Sequence, residues 1–211
     1  MKTKLLIAAG LIGVNCLMSC EKAEDTLPKL EAVDDVCTKM DDINFMKCCY
    51  DYFDVNNDGK VSMSEANAVR SISYAHLVNS GSASLMYVVS FTGIEYFSNL
   101  ENISLGGYNN GIAPRVKTMD LCNNKHLTSI SMHDAHYISS LDLRPNIELE
   151  YVFMLGCHEL KSIYLPKSIE SIPDSAFKYC EKLAIVDMSQ CVNLKEIKGS
   201  DTFTSEVIDE F

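Results

Sequence analysis

Tryptophan is missing from this 211-residue chain, which removes the widest aromatic surface on which a protein stacks a sugar ring. Basic residues are scarce: 18 lysines and arginines stand against 29 acids, for a net charge of −11 at pH 7. A chain this acidic repels a polyanion, so no nucleic acid partner is expected. Long apolar runs are also lacking. The longest, Leu5 to Val14, has ten residues and is too short to span a bilayer as a helix. No nucleophile elbow, HExxH pair or Walker A loop occurs, so no enzyme class declares itself.

Against these absences stands a phrase, apolar-x-x-apolar-x-apolar, that returns every eleven residues. It occurs at Val116-Met119-Leu121, Leu127-Ile130-Met132, Ile138-Leu141-Leu143, Leu149-Val152-Met154 and Leu160-Ile163-Leu165. After twenty-three residues it resumes at Leu183-Val186-Met188 and begins again at Leu194-Ile197. Such a period marks stacked units, because one unit cannot bury its own apolar face. Two phrases make one coil of 22 residues, within the range of about 20–29 found in leucine-rich solenoids. Strands beginning at 116, 138, 160 and 183 then stack on one side, and those at 127, 149, near 172 and 194 on the other. Ile169-Glu170-Ser171-Ile172 and Ala176-Phe177 carry the array through the longer interval. An irregular first repeat, Leu100-Ile103-Leu105, opens it.

The amino terminus reads as a targeting segment. Lys2 and Lys4 precede the Leu5–Val14 run, as in a secretory signal, and Leu17-Met18-Ser19-Cys20 resembles the lipobox of bacterial lipoproteins. That resemblance implies cleavage before Cys20 and lipidation of its thiol, which holds the protein to a membrane. Loss of residues 1–19 removes two lysines and no acids, leaving a charge of −13. Glu21-Lys22-Ala23-Glu24-Asp25 resembles a surface-export signal, and reads equally as a solvated tether. The expected location is the outer membrane, with the protein at the cell surface.

Of nine cysteines, Cys16 leaves with the signal and Cys20 carries lipid, so seven remain. Cys157, Cys180 and Cys191 each stand three residues before a phrase, where earlier units have Asn124, Ala135 and Asn146. That position takes a small apolar residue or an amide that satisfies loop backbone groups, so buried free thiols are expected. One pair among Cys37, Cys48 and Cys49 stays open as an alternative.

Residues from about Leu30 to Ser73 lack the eleven-residue period and read as helical. Phe45, Cys49 and Phe53 share one face; Ala66, Val69 and Ile72 or Ser73 form a second stripe. Leu85 to Phe91 resembles a single strand. Between the helices, Asp54 to Glu65 matches the twelve-residue EF-hand pattern. Asp54, Asn56 and Asp58 supply side-chain oxygens at alternate positions, Gly59 allows the sharp turn, Lys60 offers its carbonyl, Ser62 a contact through water, and Glu65 a bidentate carboxylate. Ser62 and Glu65 also stand at capping-box spacing. A polar turn that happens to hold Asp, Asn and Gly is the plainer alternative. With no second loop, a weak structural calcium site is expected.

Phe53-Asp54-x-Asn56-x-Asp58-Gly59, then Ser62-x-Ser64-Glu65-Ala66 and Gly93-Ile94-Glu95-Tyr96-Phe97-x-Asn99-Leu100, resemble the opening segment of bacterial surface leucine-rich-repeat proteins. Leu160 to Leu165 followed by Pro166, and Ile172-Pro-Asp-Ser-Ala-Phe177 through Cys180 to Leu183, are similar to BspA-like repeats. The resemblance spans about residues 45–203 and implies a non-catalytic interaction module. The chain departs from the pattern at Tyr74–Val89, where extra residues occur.

The expected fold is therefore α+β: a small helical EF-hand-like cap at 30–92, a leucine-rich-repeat β-solenoid at 93–203, and a tail at 204–211. Outward strand residues are the candidate contacts, Asp120, Asp142, Tyr164 and Asp187 on one side and Tyr151 and Phe153 on the other. Exposed aromatics anchor interfaces, while the same residues also suit a solvated strand. The partner expected is a protein; glycan capture and a structural envelope role are the alternatives. His133-Asp134-Ala135-His136 reads as a turn and not as a zinc site, and Cys157-His158 as core and not as a nucleophile. If the loop holds calcium, EDTA will lower the thermal midpoint of the protein, whereas an Asp58→Ala variant will melt alike with and without chelator.

Overall fold

The inward residues of each phrase stack on their counterparts one coil away. In the computed structural model, which describes residues 30–73, 87–106, 114–199 and 202–203, the described residues form nine short strands: β1 (Ser71–Ser73), β2 (Asn102–Leu105), β3 (Ser129–Met132), β4 (Ser140–Asp142), β5 (Tyr151–Phe153), β6 (Ser162–Tyr164), β7 (Ser171–Ile172), β8 (Ile185–Asp187) and β9 (Glu196–Ile197). All pairing is parallel, in the orders β1-β2-β3-β5, β4-β6-β8 and β7-β9. Ile72, Ile103, Ile130 and Val152 lie in register in the first sheet, and Leu141, Ile163 and Val186 in the second. All seven are buried. Each removes a β-branched or leucine side chain from water, worth about 1.5–3 kcal/mol apiece.

The two-sided coil holds. Register steps are 22 residues from β3 to β5 and β4 to β6, and 23 from β6 to β8. They widen to 27 between β2 and β3, 31 between β1 and β2 and 25 between β7 and β9.

Buried side chains in the turns hold the coils together. Asn124 Nδ2 donates to the carbonyls of Ile94 and Phe97, both at 3.0 Å. Asn146 Nδ2 repeats the arrangement one coil on, donating to Leu121 and Asn124 at 2.9 Å. Thiols take the same role elsewhere: Cys180 donates to the Met154 carbonyl (2.8 Å), and Cys191 to that of Pro166 (3.3 Å). Cys157, Cys180 and Cys191 are free and buried, as the repeat spacing implied, and Cys37, Cys48 and Cys49 are free and buried as well, so the pair left open among them does not form. Cys122 departs from that expectation, being disulfide-bonded.

The cap consists of a 3-10 turn (Val36–Lys39), α1 (Ile43–Phe53) and α2 (Met63–Ala68). Phe45, Cys49 and Phe53 do share the buried face of α1. They pack on the first coil, with Phe45 against Phe91 (4.8 Å between centroids) and Phe53 edge-on to Phe97 (5.5 Å). Asp42 fixes this contact. Its carboxylate caps α1 through the N–H groups of Asn44 and Phe45, and its second oxygen accepts from Val89 (2.7 Å) and Ser90 (3.3 Å). Burial pushes this carboxyl up, but the four backbone donors outweigh it and hold it below the usual range.

Two expectations need correction. The helical stripe does not reach Ile72: α2 ends at Ala68, and Ser71–Ser73 is already the first strand of the sheet. A β-branched residue between serines suits a half-buried strand, and β2 provides its partner. Nor is there a strand over the described part of Leu85–Phe91; only Ser90 bridges, to Thr118. Residues 1–29 and 204–211, with the signal, Cys20, tether and tail, lie outside the described residues. Among those described, no helix is long and apolar enough to cross a membrane.

Asn146→Ala strips the Leu121 and Asn124 carbonyls of their donor inside the stack. It is expected to cost about 3 kcal/mol, and Asn146→Cys distinctly less, by urea unfolding.

Candidate functional site

The Asp54–Glu65 loop joins α1 to α2 and is closed by its own side chains. Asp54 accepts from the N–H groups of Asp58 (3.1 Å) and Gly59 (2.9 Å), Asn56 Oδ1 from Asp58 (2.8 Å), and Asp58 Oδ1 from Lys60 (3.0 Å). Asn57 and Gly59 take positive φ, 59° and 83°, which a glycine adopts without strain. Glu65 ties the two ends together: Oε1 accepts from Val55 and Asn56 (3.0 and 3.3 Å), and Oε2 from the Ser62 N–H and hydroxyl (2.9 and 2.8 Å). Ser62 Oγ in turn accepts from the Glu65 N–H, completing the capping box that the spacing implied. Hydrogen bonds from Ser62, then burial acting in the opposite direction, then Asn56 and Val55, leave the Glu65 carboxyl below its usual value.

The loop's candidate donors are all oxygens, the chemistry a hard divalent cation takes. They are only partly gathered: among the described residues no three His, Cys, Asp or Glu side chains cluster as a metal site. A cation entering the loop therefore competes with the loop's own N–H donors for Glu65, Asp54 and Asp58.

The outward strand residues divide into two groups. Asp120, Asp142 and Asp187 turn back to accept from the N–H groups of Cys122, Arg144 and Ser189 (2.9, 3.1 and 2.9 Å), closing the turn after each strand position. Asp142 also pairs with Arg144 (2.6 Å), whose guanidinium lies 4.9 Å over the Tyr164 ring. On the other side Tyr151 is 41% exposed and nearly parallel to Phe153, at 6.2 Å and 5°. Phe153 is itself buried, at 9%, with His133 at 5.1 Å. His136 donates from Nδ1 to the Gly156 carbonyl (3.1 Å) and lies tilted against His158 (4.7 Å between ring centroids), so these two histidines are built into the turns. Gly156, with φ 71°, leaves no room for a Cβ beside the Asp134 carboxylate of the previous coil.

A trough that the sequence did not reveal includes Glu150, the residue before Tyr151. Hollows of about 280 and 610 Å³ share Thr128 and Glu148 and run along the start of the first sheet's strands. Glu101, Glu150 and Glu170 line it, each directly after the first apolar residue of a phrase. That shared position was the signal available.

Residues 134–209 match the model of the BspA type leucine rich repeat region, in six copies. The stretch carries BspA-type leucine-rich repeats. The solenoid is thus a repeat module of a kind typical of protein–protein contact. An internalin from Listeria monocytogenes str. 4b F2365 is similar in structure, with 15% sequence identity and a TM-score of 0.30. The match covers 82% of this chain and 66% of that one, just under two thirds of its length. No curated protein matches the sequence.

Glu65 stabilises the closed loop when ionised. A carboxyl held below its ordinary value contributes above the unfolded pKa and loses that contribution as pH falls through the folded one. In EDTA, acid titration followed at the Val55 and Asn56 amide resonances is therefore expected to break below the ordinary glutamate pKa, and to move up toward it in Ser62→Ala.

Proposed function

We propose that this protein is a non-catalytic lipoprotein of the bacterial outer membrane that binds a protein partner at the cell surface through its repeat module, with calcium bracing the cap. The observation that carries the binding reading is an exposed tyrosine, Tyr151, next in the chain to Glu150, which lines a trough together with Glu148 and Glu170. Tyrosine anchors interfaces because it brings large area at little entropic cost. The carboxylates favour a partner that presents basic side chains. Anchoring rests on the lipobox-like Leu17-Met18-Ser19-Cys20, with Cys20 as the lipidated residue. Calcium rests on Asp54, Asn56, Asp58, the Lys60 carbonyl, Ser62 and Glu65.

A glycan is the weaker alternative. A sugar platform needs rings open to solvent, and of the Tyr151–Phe153 pair only Tyr151 is open.

A photo-crosslinking residue placed at Tyr151 on intact cells is expected to capture a protein, and the adduct is expected to vanish when Glu148 and Glu150 are changed to lysine. The same probe at Tyr179, which is 55% exposed, serves as control. Equal labelling from both positions would sink the proposed face.

A further inference from the structure

The calcium loop stands alone in the sequence, yet its second half is clasped by a strap that precedes α1. Val61 is fully buried, and both of its backbone groups are engaged there: its N–H donates to Asp35 Oδ1 (3.1 Å), and its carbonyl accepts from the Val36 N–H (2.9 Å). Asp35 is itself 9% exposed. Oδ1 also accepts from the Cys37 N–H (3.0 Å), while Oδ2 accepts from the Tyr50 hydroxyl (2.6 Å) on α1. Its carboxylate thus joins the strap, the helix before the loop and the loop itself.

The bond to Val61 bears on a ligand. The Val61 N–H and the Lys60 carbonyl belong to one peptide group, trans like every peptide among the described residues, so the two point in opposite directions. Holding the N–H on Asp35 turns the Lys60 oxygen away from the strap. The Val36–Val61 bond fixes the next peptide plane in the same way. The Lys60 carbonyl is the one backbone ligand in the proposed calcium set, and its aim is set by a residue twenty-six positions upstream of Val61.

We propose that Asp35 is the positioning residue of the calcium loop, orienting the Lys60 carbonyl through the Val61 N–H. The inference rests on the calcium reading above. It gives the strap at residues 35–37 a task that nothing in the twelve-residue motif supplies.

Calorimetric titration of the purified protein with calcium chloride tests it. Asp35→Ala is expected to weaken binding roughly ten- to a hundredfold, the usual effect of removing a group that orients a metal ligand. Asp35→Asn keeps an oxygen acceptor for the Val61 N–H and is expected to restore most of the affinity. Tyr50→Phe removes the hydrogen bond to the second oxygen of the same carboxylate; it is expected to lower the melting point in EDTA while leaving calcium affinity unchanged. Unchanged affinity in Asp35→Ala, or parallel losses of affinity in Asp35→Ala and Tyr50→Phe, would overturn the positioning role while leaving the calcium site standing. Absence of calcium binding in the wild type would remove the site, and the inference with it.

Discussion

Each coil is held to the one before it by side chains that reach back from a turn to the previous turn's backbone carbonyls. Strands of two to four residues provide few ladder bonds, so the turns must be satisfied by other means. Asn124 and Asn146 do this with two donors apiece, Cys180 and Cys191 with one thiol each. A thiol is a weaker donor than an amide but fills the apolar interior without leaving a second polar atom to satisfy. The substitution of cysteine for asparagine along the stack therefore exchanges hydrogen bonding for packing. The last coil shows the exchange most clearly, where Phe203 stacks on Phe177 at 5.5 Å and the Phe177 N–H donates to the Thr202 carbonyl.

At the other end two buried or half-buried carboxylates perform the joining. Asp42 links the start of α1 to residues 89 and 90, and Asp35 links the strap to α1 and to the loop. An ionised carboxylate accepts several N–H donors at once, which lets one residue fasten three segments where no regular ladder exists. Both stand just before a helical element and double as its cap. The cap thereby covers the first coil with aromatic packing while its polar backbone groups are satisfied locally.

The inward half of this design was legible because burial imposes a period. Ile130, Val152, Leu141, Ile163 and Val186 sit where the eleven-residue phrase put them, and the cysteines follow the same phase. The outward half was not, because solvent imposes no such constraint. Asp120, Asp142 and Asp187 recur like a binding column, yet each closes its own turn, a local bond that sequence spacing alone does not distinguish from a ligand contact. Ile72 was misread as helical because Ala66, Val69 and Ile72 also fit a three-residue spacing; only the distant partner Ile103 decides for a strand. The role of Asp35 depends on a contact across twenty-six residues and has no local signature. The trough is likewise assembled from residues a full coil apart.

Charge in that trough is less uniform than its glutamates suggest. Glu101 pairs with Arg70 at 3.3 Å, Glu148 with His126 at 3.2 Å and Glu170 with Lys195 at 2.6 Å, each running from one coil to another. These pairs are exposed, and an exposed pair contributes only about 0–1 kcal/mol, so a basic group arriving from a partner displaces them at little cost. Among the described residues Glu150 carries no ion pair, and its neighbour in the chain is the exposed Tyr151. A full negative charge thus adjoins the most accessible aromatic ring of that sheet face. Arg70 and Lys195 balance Glu101 and Glu170, whereas the partner of Glu148 is a histidine that balances it only when protonated. Attraction is therefore strongest around Glu148 and Glu150 and favours a partner with a cationic group close to an apolar one.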